Sequence, residues 1–218
     1  MPTYLSEEQL ESEFDRQVTT LLDKGYPALA GMSAARFLAS LGRLSERLAD
    51  VSVTGTKALP FVLVVTSDLV PVVPAIKAWR TNGKPGFTTM EADELKRFGP
   101  IDTVEIPNAV TYLATDIATG ADTLNVTPDA ALPLIRKSGR SPLTIDEGVA
   151  VLTHHPDVLA THNAFSLLGS RCGDRRVTAI WSSEKGDHRG RQPRLGWCFA
   201  GAPHTWLGSA SLGSRLVA

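Results

Sequence analysis

Apolar positions along this chain switch period several times, and each switch predicts an element. Ser6 with Gln9 forms a capping box, and Leu10, Phe14, Val18, Leu21 and Leu22 follow at helical spacing, with Gly25 as the terminating residue. Ser33 starts a second helical pattern with an apolar face of Phe37, Leu38, Leu41, Leu44 and Leu48. Leu59 to Val65 is continuous and rich in β-branched residues, as in a strand buried on both faces. Pro71 and Pro74 then exclude a central strand, and exclude a helix unless they lie in its first turn. Thr88 or Thr89 caps a short acidic helix from Glu91 to Phe98, which Gly99 and Pro100 stop.

Tyr112 to Asn125 alternates weakly around Thr119-Gly120 and predicts a hairpin. Thr127-Pro128 opens a helix that runs toward Gly139, with Pro133 as a kink. Thr144 with Glu147 is a second capping box, for a helix carrying Val149, Val151 and Leu152 and ending before Pro156. The last block predicts strands at Val177–Ser182 and Leu195–Ala200 around a polar loop, Ser183–Pro193, that contains His188. A third strand is expected at Thr205–Leu207. The sum is an α+β fold. An N-terminal helical pair (residues 1–50, within the same domain or appended to it) packs on a mostly antiparallel sheet in the main domain, residues 51–218.

Composition sharpens this picture in three ways. The chain has 218 residues, 43% hydrophobic and 21% charged, so it can bury one sizeable core. Its net charge of −1 makes no case for nucleic acid or a membrane surface. The apolar stretch Ala58–Trp79 is broken by Asp68, Pro71, Pro74 and Lys77 and reads as core rather than a span. Two cysteines and an acidic, polar N-terminus fit a reduced, cytoplasmic protein. The charge is also uneven. Residues 165–218 hold eight basic against three acidic residues, a local +5 that leaves −6 for the rest.

That basic C-terminal quarter also holds three of the four tryptophans and both cysteines, so it is where chemistry is expected. Arg171, Arg175 and Arg176 converge on one glycine-bounded loop with Cys172 and Asp174, and guanidinium forks suit carboxylate or phosphate. Trp197, His204 and Trp206 supply a flat wall and rim for the same small anionic ligand. Alternation sets Leu195, Trp197 and Phe199 on one strand face as core. The other face, Gly196, Cys198 and Ala200, becomes a ligand floor. The stretch Gly208–Gly213 is small enough for close backbone approach to a ligand. The competing reading makes the tryptophans core and pairs the arginines with the chain's own acids.

Two other functional classes stay open. One is an enzyme using Cys172, with His204 as base, on an acyl or phosphoryl substrate. The other is an interaction or self-association module built on Phe14, Leu21, Phe37 and Leu41. No cofactor is assigned, because phosphate-loop, dinucleotide and zinc-protease signatures are absent. No metal is expected. Cys172, Cys198 and His204, with His154, His155 or His162, lack the close ligand pair that zinc sites use. Asp146 and Glu147 read only as first-turn acids that suit the helix dipole.

Three runs bring a family into view: SPLTIDEGVAVLTHHPDVL, FSLLGSRCGDRR and LGWCFAGAPHTWLGSAS. With FDRQVTTLLDKGYPALAG and PFVLVV in the same order, the chain resembles an uncharacterised actinobacterial family of domains of unknown function. The resemblance implies no activity and carries no catalytic residues.

Overall fold

The computed structural model describes residues 5–54, 58–81, 83–159, 164–184 and 191–218. His162, His188 and most of the charged loop before Arg191 lie outside them. Among the described residues there are seven α-helices and fourteen mostly short strands, an α+β architecture.

Local signals set most helix starts. Ser6 and Gln9 close the expected capping box on helix Glu7–Asp23, and Gly25 follows it in the left-handed region at φ 75°. The second helical pattern is interrupted. Ser33 caps Ala34–Ser40, Gly42 takes φ 55°, and the chain resumes as a 3-10 turn, Leu44–Asp50. Phe37, Leu41, Leu44 and Leu48 are still buried, because the break keeps them turned to one core. Both prolines of the next segment sit where a helix tolerates them: Pro71 precedes helix Val72–Ala78 and Pro74 lies in its first turn. The acidic helix spans Ala92–Lys96 from Glu91, while Thr88 Oγ1 instead accepts the Met90 amide in a tight turn. Thr127 caps Pro128–Lys137, and Thr144 with Glu147 caps Ile145–His154, both as expected.

Two sheets carry the body. Strand Thr111–Ile117 is central in the first, antiparallel to Leu59–Val65 on one side and to Ser214–Leu216 on the other. The expected hairpin over Tyr112–Asn125 does not form. The strand is buried along its whole length, so it has no solvent face to alternate with, and Gly120 leads instead into a 3-10 turn, Ala121–Thr123. The second sheet has the order Leu207–Ser209, Ala164–Leu167, Arg176–Ser183, Gln192–Phe199, Phe87–Thr88; its two edge strands are parallel to their neighbours and the inner pairs antiparallel.

Helix Ile145–His154 lies at the centre of the main core. Gly148 lets it approach the second sheet closely, since a Cβ there would stand 2.6 Å from the Leu167 side chain. The open edge of Leu59–Val65 is closed by side chains. Gln17, fully buried, donates Nε2 to Phe61 O (3.0 Å) and accepts the Leu63 amide (2.7 Å), and His154 Nε2 bonds Leu63 O (2.9 Å). One apolar cluster runs from Leu10, Leu21 and Phe37 through both sheets to Leu212.

Candidate functional site

The basic C-terminal loop comes together, but on itself. The Arg176 guanidinium bonds Asp174 (2.9 Å) and Glu94, and stands 5.5 Å from the Phe98 ring centroid and 5.6 Å from that of Trp197. These carboxylates hold Arg176 firmly protonated, and Arg176 in turn holds the Asp174 carboxyl far below the usual range. Cys172 Sγ donates to Asp174 Oδ1 (3.1 Å). Arg171 lies 3.7 Å from Asp129 and bonds Asp174 O. Arg175 is exposed, beside Gly201, and has no ion pair among the described residues.

His204 and Trp206 form a second group, ring centroids 5.4 Å apart. No hydrogen bond, ion pair or ring contact among the described residues joins them to the arginine loop. The strand alternation is as expected, and Leu195 is buried in the main core, but the two aromatic residues that share its face are not. Trp197 and Phe199 lie edge to face at 5.2 Å and are 38% and 54% exposed. Cys198 and Ala200 pack against Ala131 and Ile135, and Trp181 covers Gly196, so the small-residue face is filled. Burial pushes the Cys198 thiol up to about 11. The glycines after Trp206 also serve the chain itself: a Cβ on Gly208 would stand 1.8 Å from Gly120 O. Among the described residues no group of three or more His, Cys, Asp or Glu is arranged to hold a metal.

A cleft of about 550 Å³ lies elsewhere, between the Ser67–Pro74 segment, the Ala92–Pro100 segment and the start of the Ile145–His154 helix. Its size falls within the range of small-molecule sites. Pro71, Val72, Leu95, Phe98, Ile106 and Ile145 give it apolar walls. Ser67, Asp68, Lys96, Tyr112, Thr144, Asp146 and Ser170 supply polar groups.

The capping box divides the two first-turn acids. Glu147, fully buried, turns inward to Arg215 (Oε1 2.6 Å, Oε2 3.1 Å), the Tyr112 hydroxyl (3.0 Å) and the Thr144 amide (2.7 Å). Asp146 points the other way, into the cleft wall. Its Oδ2 accepts the Ser67 amide (3.0 Å) and hydroxyl (3.2 Å), and its Oδ1 carries no hydrogen bond among the described residues. Burial pushes Asp146 up to about 6, with Glu147 and Asp68 adding to the rise while the two Ser67 bonds oppose it. Burial and Glu147 raise Tyr112 well above the ordinary tyrosine value.

The arginine loop supports this cleft from behind. Strand Ser170–Arg171 pairs with Gly99–Pro100, so Ser170 lines the cleft and Arg171 leaves it. Phe98 lines the cleft and carries Arg176 on its ring, while Glu94 ties the Ala92–Lys96 helix to the same guanidinium. In the sequence Asp146 has a sufficient local explanation as a first-turn acid of the Ile145–His154 helix. The available signal was Ser67-Asp68 directly after a buried strand, a polar pair at an exit from the core.

No curated protein and no solved structure matches the chain. A family model matches residues 20–218, which include the cleft, the capping box and the arginine loop, and the chain therefore belongs to a family of unknown function, DUF5701.

Proposed function

We propose that this protein binds a small molecule in the cleft beside Asp146. The supporting observation is the cleft itself: largely apolar walls around a carboxylate with one oxygen fixed by Ser67 and the other without a partner. Sites of this kind orient an apolar body with a few placed polar groups. The same reading sets the protein in the cytoplasm, as two unpaired cysteines suit a reducing compartment.

The arginine loop supports an anionic ligand less well. Arg176 is occupied by two carboxylates and two rings, which leaves exposed Arg175 as the loop guanidinium without an ion pair among the described residues. A Cys–His enzyme has less support still, since no hydrogen bond joins His204 to either thiol. For an interaction module, Leu21, Phe37 and Leu41 are already buried against the chain's own core.

The test is a thermal-shift screen of a metabolite library with wild type and Val73→Trp, which fills the cleft from the first turn of its helix. A ligand at a hundredfold excess over its dissociation constant stabilises by about 2.7 kcal/mol. Val73→Trp is expected to abolish the shifts. Shifts of equal size in the variant would refute the cleft as the site.

A further inference from the structure

Resting on that reading, we infer that the cleft selects a protonated amine: a ligand with an ammonium head at Asp146 and an apolar body against the Pro71, Val72, Leu95 and Phe98 wall.

Four observations point to a cation. First, Asp146 is half-buried and, among the described residues, its carboxylate is fixed through one oxygen only, which leaves Oδ1 as an acceptor open to a ligand. A ligand ammonium N–H exchanges water at that oxygen for a charge-assisted hydrogen bond. Second, Asp68 lines the same cleft, so the polar end has two carboxylates. Third, the cations near the cleft are already paired. Lys96 Nζ bonds Asp93 (3.1 Å), Arg215 is held by Glu147, and Arg176 is held by Glu94 and Asp174.

Fourth, the helix start at Thr144 offers an anion only the Asp146 amide among its first-turn donors in the described residues. The Thr144 amide donates to Glu147 (2.7 Å), the Ile145 amide to Ser170 Oγ (3.0 Å) and the Glu147 amide to Thr144 Oγ1 (3.5 Å). An anion here would meet one open amide, a lysine in a surface ion pair and two like charges. An ammonium meets an open oxygen and a second carboxylate nearby, in a site with low-dielectric walls.

Three matched probe sets test this, on phenyl, indolyl and octyl bodies. Each set contains the primary amine, the alcohol and the carboxylate, titrated by calorimetry into the full chain, Asp146→Asn and Val73→Trp. Asp146→Asn keeps an oxygen for Ser67 and removes the charge; its thermal melt verifies that it is folded. In wild type the amine of at least one set is expected to bind tenfold or more tighter than its alcohol and carboxylate. That preference should vanish in Asp146→Asn, with alcohol affinity unchanged, and Val73→Trp should remove all binding. Alcohol or carboxylate binding as tight as the amine, yet lost in Val73→Trp, would overturn the amine inference and leave the cleft standing. Binding that ignores Val73→Trp, or none from any set, would overturn both.

Discussion

Gln17 shows how much one polar side chain can carry. It sits inside an apolar helix face, fully buried, and its amide serves as a missing neighbour strand for Phe61 and Leu63. A strand edge left open is a template for unwanted pairing, and burying it unpaired leaves orphan backbone groups. Gln17→Leu removes both partners at once. It is expected to cost about 2–4 kcal/mol, because each abandoned buried group carries its own desolvation penalty. Urea denaturation measures the loss. A change under about 0.5 kcal/mol would mean that water or a shifted side chain takes over the edge.

The Ile145–His154 helix joins the two halves of the site. Its capping box sends Glu147 into the core, where Arg215 from the last strand meets it, and so leaves Asp146 in the cleft. The pair is almost completely enclosed, and such pairs add little net stability while intact yet cost much when halved. Arg215→Met is therefore expected to destabilise the protein by about 3–5 kcal/mol. Adding Glu147→Gln should restore most of that loss, because the amide oxygen still accepts from the Thr144 amide, its NH2 can donate to the Tyr112 hydroxyl oxygen, and no charge is stranded. Equilibrium unfolding of the single and double variants decides this. A double variant no more stable than Arg215→Met would assign the loss to missing arginine packing instead.

For the whole molecule, two groups with opposite displacements shape stability against pH. Asp146 is raised from 3.8 to about 6, so the native state keeps a proton that the unfolded chain releases, and its contribution falls as pH rises from about 4 to 6. His154 is lowered from 6.5 to about 3 by burial, so the native state refuses a proton that the unfolded chain takes. Its contribution is lost as pH falls below about 6.5. Between pH 4 and 6 the two oppose each other. Asp146→Asn leaves His154 unopposed, and relative to wild type it should lose up to about 1.4 kcal/mol per pH unit as pH falls through that window. Glu13, Asp116 and Asp174, all lowered, act equally on both proteins. Urea melts at half-unit pH steps provide the check, and parallel curves would show that Asp146 does not titrate in this range.

The residues legible in advance were those whose role is local. Ser6, Ser33, Thr127 and Thr144 cap helices because a hydroxyl reaches an amide a few residues away, and Leu59–Val65 forms a strand because its composition suits burial on both faces. The α+β class followed from the order of such elements. The hairpin failed where Thr111–Ile117 is buried on both faces, since pairing across 46 to 58 residues leaves no trace in a short window. The arginine loop was seen as a cluster, but the partners of Arg176, Glu94 and Phe98, come from a distant segment that no short window reveals. Sequence by itself determined where the capped helices start and which side chains seek burial, because those preferences act over a turn or a pleat. Only tertiary structure decided that Glu147 faces the core while its neighbour Asp146 meets Ser67 in a cleft: the environment of a carboxylate depends on what packs against it, and here that comes from residues 79 positions earlier and 68 positions later.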